Sequence, residues 1–437
     1  MKGVGFSYRN AGISQRDIHA AVPILSTAIS QLNNLKGKGY DGYASSINLP
    51  ADRAMFSKVK KLAKKYRKAA VIVVIGIGGS NLGAMAVYDA VKGKYANFHE
   101  PKMVLFADTV DPDSIECFSN AIKENATSKY KVLLCFATKS GGTTETVANF
   151  EILYSTLKKH QKGDDWVVAI TDKGSKLWDL AGRKKWDTLE IPKYVGGRYS
   201  VFSPVGLFPL AVAGINIDAL LKGAKDMRNK CLNPNLMKNP AALSAITLAS
   251  HYRHHNKNIH DTFLFANDLE NIGKWYRQLM GESIGKEHDL NGRKVNRGIT
   301  PTVSIGSTDL HSMAQLYLGG PYDKVTTFIS LRQFNKKLKV PIMKEYDALV
   351  PSIQGKSMQD IMKAIEQGVK AAFAKGNRPF MEIILPDKSE ESIGQLLQMK
   401  MMEMMLLGRL LNVDPFGQPN VEEYKIVTKK ILAGKTR

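Results

Sequence analysis

Cysteine is scarce: three in 437 residues (Cys117, Cys135 and Cys231), far apart and without C-x-x-C spacing. That scarcity excludes a disulfide framework and fits a reducing compartment. Cys117 and Cys135 fall in apolar patterns and read as small core residues. Long hydrophobic runs are missing too. The longest, VFSPVGLFPLAVAGI at 201–215, falls short of the roughly 20 residues of a membrane span and holds two prolines. The amino-terminal MKGVGFSYRNAGISQRD has no apolar stretch of the kind a secretory signal carries. The expectation is a soluble, cytoplasmic protein with no membrane partner. No short-period repeat, low-complexity segment, HExxH or Walker A sequence is present.

Acidic residues are also in deficit, 40 against 62 basic ones, for a net charge of +22. A charge of that size raises nucleic-acid binding as one reading. The lysines (Lys36, Lys38, Lys64, Lys65, Lys336, Lys337, Lys429 and Lys430 among them) are dispersed and lack interleaved aromatics. They read as a solvated surface that also attracts an anionic metabolite, with no specific nucleic-acid partner. The cluster HYRHHNKNIH, with His251, His254, His255 and His260, lacks a metal-site pattern and reads as a polar helix end.

What is present is alternation. Residues 15–68 look helical and polar-faced. Short Val/Ile/Leu-rich runs follow at 71–76, 102–108, 131–138, 165–172 and 186–192, separated by helical segments. After a helical bridge the pattern resumes at 261–267, 300–306, 324–331 and 380–386. Strands alternating with helices at this spacing imply parallel sheets covered on both faces. The chain is too long for one core. Its expected division is an amino-terminal helical segment at 1–68, a first α/β domain at 69–215, and a second at 216–437 with carboxy-terminal helices. Met399, Met401, Met402, Met404 and Met405 lie on a long helix at 389–413 and suit a core or a subunit interface.

Six motifs carry the chemistry. GIGGSNLG (76–83) follows the first strand and opens a helix. Its glycines let backbone approach a ligand, and Ser80 is the expected helix cap. Free N–H groups there favour an anion. A dinucleotide site and a bare structural turn remain alternatives, since Asn81 interrupts G-x-G-x-x-G. ATKSGGTTET (137–146) repeats the logic: Thr138, Ser140, Thr143 and Thr144 surround Lys139 and a Gly-Gly turn, against the alternative of a simple cap cluster. GGRYS offers Arg198 to an oxyanion or phosphate. GESIGKE offers Glu282 as a base, with Glu287 and Asp289 as nearby competitors. STDLH places His311, suited to proton transfer near neutral pH, at a helix start. QPNVEEYK places Lys425 beyond a Pro-Asn turn.

Taken together and in this order, the motifs resemble those of the glucose-6-phosphate isomerase family in its shorter bacterial form. GGRYS and Q-x-x-VE-x-x-K are the distinctive ones, and the resemblance runs from about residue 70 to 430. It implies two doubly wound parallel-sheet sugar-isomerase (SIS) domains, each a three-layer αβα unit, with helical additions at both ends. It also implies a homodimer with a shared active site and a small-molecule sugar phosphate as ligand. Gly79, Ser80, Thr138, Lys139, Ser140 and Thr143 would hold the 6-phosphate, with Gln418 beside the sugar. Glu282 would carry a proton between C2 and C1 through a cis-enediol, and Arg198 would stabilise the enediolate. His311, from the partner subunit, and Lys425 would serve ring opening. No metal and no cofactor is implied. Two positions depart from the family pattern: Tyr194, where Asp or Asn is usual, and Asn420, where glycine is usual. A non-catalytic sugar-phosphate-binding regulator on the same domains is the alternative.

Overall fold

A computed structural model describes residues 3–126, 130–162 and 166–434. The outer ends of the expected segments, residues 1–2 and 435–437, lie outside the described residues, as does Asp165 at the head of the expected strand 165–172. In chain order the strands are β1 (Gly5–Ser7), β2 (Ala69–Ile75), β3 (Met103–Ala107), β4 (Lys131–Ala137), β5 (Val167–Thr171), β6 (Asp187–Glu190), β7 (Ile259–Leu264), β8 (Lys286–His288), β9 (Lys294–Arg297), β10 (Thr300–Ile305), β11 (Lys324–Leu331) and β12 (Phe380–Leu385). Every apolar run expected as a strand forms one. The central runs are buried on both sides, as a parallel sheet under two helical layers requires: Val71 to Ile75 of β2 are all buried, whereas β6 and β10 are only partly covered.

The first sheet runs β3-β2-β4-β5-β6, with every pairing parallel. The chain leaves β2 toward one edge and then crosses back to β4, so the order reverses between β2 and β4. Ligands of open α/β sheets sit outside the carboxyl ends of the strands at such a reversal. The loops that follow β2 and β4 are the two glycine-containing loops singled out in the sequence. The second sheet, β1-β12-β11-β7-β10, reverses at β7 in the same way.

The amino-terminal segment is not purely helical. β1 pairs antiparallel with β12 and closes an edge of the second sheet, so this segment belongs to the second sheet at its start. Too short and too polar to show a period, Gly5–Ser7 carries no strand signal of its own. The hairpin β8–β9 directly follows the Glu282 helix and also escaped the sequence reading.

The two sheets share a core. One continuous hydrophobic cluster joins Ile72 and Val74 of β2 with Ile329 and Ile383 of the second sheet. The helices between them supply the contact: Leu82–Lys92 packs on Glu270–Ile284, and Ile217–Cys231 packs on Glu390–Leu410. The methionines of Glu390–Leu410 are all buried in this cluster, so they are core. Cys135 and Cys231 are buried, but Cys117 is exposed. Its helix, Pro112–Asn125, buries the stripe Ile115, Ser119 and Ile122, and position 117 faces away. The histidine cluster divides: His254 and His255 are exposed at the end of helix Pro240–His254, as expected of a polar helix end, but the other two are not. His251 is buried with Nε2 2.5 Å from the Ala11 carbonyl, and His260 is wholly buried in β7, bonded to Thr327 and Tyr276. Among the described residues no helix is long and apolar enough to cross a membrane.

Candidate active site

The loop after β2 owes its shape to contact. A Cβ on Gly79 would lie 2.1 Å from the Gly197 carbonyl carbon and 2.6 Å from the Arg198 nitrogen, so only glycine lets GIGGS and GGRYS lie backbone on backbone. Ser200 Oγ bridges the two loops by donating to the Gly79 and Gly197 carbonyls (3.1 and 2.7 Å). The cap of helix Leu82–Lys92 is Asn81, not Ser80. Ser80 lies in the preceding turn, Gly78–Ser80, because the chain makes one tight turn before the helix begins.

After β4, the buried Thr138 and the half-buried Thr143 share a hydroxyl–hydroxyl hydrogen bond of 3.0 Å. Thr143 is the first residue outside helix Thr144–His160, yet its side chain caps no backbone N–H. The helix start therefore keeps free donors, which the cap alternative would have consumed. Ser140 is exposed beside them. Lys139 reaches the carbonyls of Lys193 and Val195 (2.6 and 3.1 Å) and so ties this loop to the approach to GGRYS. Burial pushes its ammonium below the ordinary range, against the pull of Asp172. The neighbouring Tyr194 packs edge-on to Tyr43 at 5.3 Å, so the departure from the family pattern makes an aromatic contact here.

Arg198 is the hub. It is 3% exposed. Its Nε donates to Ser283 Oγ (2.8 Å), Nη1 to Glu282 Oε2 (3.1 Å) and Gln418 Oε1 (2.8 Å), and Nη2 to the carbonyls of Pro415 (2.7 Å) and Phe416 (2.9 Å). Every guanidinium N–H has an acceptor. One side chain thus joins three segments far apart in sequence: GGRYS, the end of helix Glu270–Ile284, and the loop before Gln418. The Glu282 carboxylate is about a third exposed. Its second oxygen, Oε1, accepts from Gln278 Nε2 at 3.0 Å, one helical turn earlier. A Cβ on Gly78 would lie 2.8 Å from that Gln278 nitrogen, so the β2 loop abuts the carboxylate's own partner.

The competing carboxylates are engaged elsewhere. Glu287 pairs with Lys294 and Asn420, and Asp289 pairs with Arg293. Asn420 does not need the left-handed backbone expected of a glycine substitute. It sits in the turn Pro419–Val421, outside the positive-φ positions, and its amide donates to Glu287 at 2.6 Å.

Two expected residues are not drawn in. His311 is exposed on the turn after β10, and no hydrogen bond or ion pair links it to Glu282 or Arg198. Lys425 pairs with Glu422 on its own helix at 2.7 Å. Conversely, the sequence reading missed Gln278, Ser283 and Lys286. Gln278 stands four residues before Glu282, a spacing that could have flagged it. Among the described residues no group of three or more His, Cys, Asp or Glu side chains is arranged to hold a metal ion.

Two doubly wound sheets, phosphate-type loops at a strand-order reversal, and a buried arginine paired with a half-buried glutamate against those loops define a sugar-phosphate isomerase architecture. The family model for phosphoglucose isomerase matches residues 57–436, and the chain belongs to that family. A curated glucose-6-phosphate isomerase from Carboxydothermus hydrogenoformans is 33% identical, over 96% of this chain and 91% of the relative. The crystal structure of a hypothetical protein from Thermus thermophilus superposes with a TM-score of 0.88 at 30% identity, covering 98% of this chain and all of that one. A glucose-6-phosphate isomerase from Chlamydia trachomatis shares the fold (TM-score 0.82, 19% identity, 99% of this chain and 89% of that one).

Proposed function

We propose that this chain interconverts D-glucose 6-phosphate and D-fructose 6-phosphate, with Glu282 as the proton carrier. The observation that carries the reading is the Arg198–Glu282 pair, held by Gln278 and Gln418 and abutting the glycine loop after β2. Ser80, Thr138, Ser140 and Thr143, with Gly79 and the free N–H groups of helix Thr144–His160, receive the phosphate. Lys139 fixes the shape of that cradle through its two carbonyl contacts.

Once the sugar ring is open, Glu282 takes the C2 proton, and the hydroxyl proton passes between O2 and O1. The acid then returns its proton to C1. Arg198 has no idle donor in the resting site. On becoming a neutral acid, Glu282 releases its claim on Nη1, and that N–H turns to the negative enediolate oxygen. Charge moves from carboxylate to enediolate beside a fixed cation, so little reorganisation is needed. Gln278 Oε1 is buried without a partner, and a sugar hydroxyl would satisfy it.

Ring opening is assigned to Lys425 and to His311 of a second copy. What supports the second copy is β10. Gly281 packs near Pro301 at its start, and His311 follows its end. Its six residues span roughly 17 Å at about 3.3 Å each, which supports a His311 drawn from a second copy over one from the same chain. The working form is a cytoplasmic homodimer. A non-catalytic regulator would need only the phosphate loops and gives no reason for the Arg198–Glu282–Gln418 assembly.

The test is metal-free turnover of fructose 6-phosphate, followed through a coupled glucose-6-phosphate dehydrogenase. Wild-type protein should turn over. Glu282→Gln should lose at least about a thousandfold in kcat while still binding a sugar phosphate. Full activity in Glu282→Gln would remove the assignment of the base; binding without turnover in the wild type would favour the regulator.

A further inference from the structure

Lys286 is the one lysine of the site that neither the phosphate loops nor the proton relay uses. It lies two residues beyond helix Glu270–Ile284, at the first position of β8, and it is 7% exposed. A buried ammonium needs acceptors, and it has two. Its Nζ donates to the Glu282 backbone carbonyl at 2.8 Å and to the Gly417 carbonyl. The first is an otherwise unpaired carbonyl at the end of the helix that carries the base. The second belongs to the residue just before Gln418.

Arg198 grips the same loop from the other side, through Pro415 and Phe416 and more distantly Gly417. Asp414 shapes the loop by accepting from the N–H groups of Phe416 and Gly417 (3.0 and 2.9 Å). Three carbonyls of one short loop therefore face two cations, and only Lys286 also touches the helix of Glu282 through its backbone.

We propose that Lys286 is a positioning residue for the isomerisation: it fastens the end of the Glu282 helix to the loop that presents Gln418, fixing the carboxylate, Arg198 and Gln418 in one geometry. It touches neither substrate nor the reacting atoms. This rests on the proposed function of the same site.

The clamp also has a pH range. Burial and the neighbouring Arg198 guanidinium lower the Lys286 ammonium to about 8, against the pull of Asp414 and Glu282. Arg297, its register partner across the hairpin, turns its guanidinium to the Leu411 carbonyl instead. As pH rises through about 8 the ammonium becomes an amine, and the charge-assisted bonds to both carbonyls weaken.

The experiment compares wild type, Lys286→Met, Lys286→Arg and Glu282→Gln as full-length protein with fructose 6-phosphate, from pH 6 to 10. Lys286→Met should lower kcat roughly 10- to 100-fold, the scale of a sub-ångström misplacement, with KM changed less than about threefold because the phosphate loops are untouched. The wild type should show an alkaline limb near pH 8 that Lys286→Met lacks and that Lys286→Arg, restoring part of kcat, moves above pH 9. Wild-type kcat in Lys286→Met, a loss confined to KM, or a limb unchanged in both variants would overturn the proposal. If Lys286→Met does not fold, the limb in wild type against Lys286→Arg decides it. An active Glu282→Gln would instead overturn the underlying assignment of the base, so the two failures read differently.

Discussion

Arg198 shows how much one buried residue can carry. A guanidinium is the only side chain that can serve five acceptors in one plane, and here it serves a carboxylate, an amide, a hydroxyl and two carbonyls. Arg198→Met should therefore fail twice. The acceptors left in a buried site should cost on the order of 3 kcal/mol of stability, visible in chemical denaturation. Of the molecules that remain folded, kcat should fall by at least about a hundredfold, the usual loss when one oxyanion donor is removed. A variant as stable as wild type would mean that Lys286 holds the Pro415–Gly417 loop without help from Arg198. Glu282→Gln separates the two effects, since the amide oxygen can still accept from Arg198 while the base is gone. That variant should keep its stability and lose its turnover.

At the scale of elements, the tightest contact lies away from the site. Helix Ile217–Cys231 and helix Glu390–Leu410 cross backbone to backbone: a Cβ on Gly223 would lie 2.0 Å from the Glu391 carbonyl oxygen, and one on Gly394 2.1 Å from that of Leu220. Alanine ordinarily favours a helix over glycine by up to about 1 kcal/mol. Here the added methyl must push the helices apart, and overpacking of this kind costs about 1–3 kcal/mol. Gly394→Ala should lower the thermal midpoint while leaving kcat/KM of the folded enzyme within about twofold. An unchanged or raised midpoint would show that the crossing can relax.

At the scale of the whole molecule, two features go beyond either sheet. Asp89, on helix Leu82–Lys92, accepts from Asn271 on helix Glu270–Ile284 at 2.6 Å, across the junction of the two halves. Burial, together with the like charges of Asp268 and Glu270 and against the Asn271 bond, raises its carboxyl to about 6. The folded chain thus holds this proton between about pH 4 and 6, where the unfolded chain has released it. Stability from this group falls as pH rises through that window, and the loss is complete above about 6. Asp89→Asn keeps an acceptor for Asn271 without the charge. It should raise the thermal midpoint at pH 7.5 by about 1–3 °C, an advantage that vanishes below about pH 4. A variant less stable at pH 7.5 would show that the carboxylate charge is needed at the junction. The second feature is the proposed sharing of the site between two copies. Equal amounts of inactive Glu282→Gln and His311→Ala chains, dissociated and reassociated, should recover about a quarter of wild-type turnover, because half of the dimers are mixed and each holds one intact site. No recovery would place His311 and Glu282 in the same chain's site.

The sequence by itself determined the two α/β sheets, because runs rich in Val, Ile, Leu and Phe recur between helical segments, even where a strand such as β7 carries His260, Asp261 and Thr262. It also made the glycine-containing loops and the proposed base, arginine and glutamine legible as candidates, because tight turns and charged chemistry demand residues that stand out. Tertiary structure decided the rest. β1 and the β8–β9 hairpin are too short to carry a period of their own. Ser80 lost the helix cap to Asn81 through a single turn that no composition encodes. Cys117 and His251 exchanged their expected surroundings because burial depends on which stripe of a helix meets the core. Arg198 and Lys286 acquired their partners only when segments 84, 131 and 220 residues apart met. Hydrogen-bond partners so distant leave no local pattern in a single chain, and only packing brings them together.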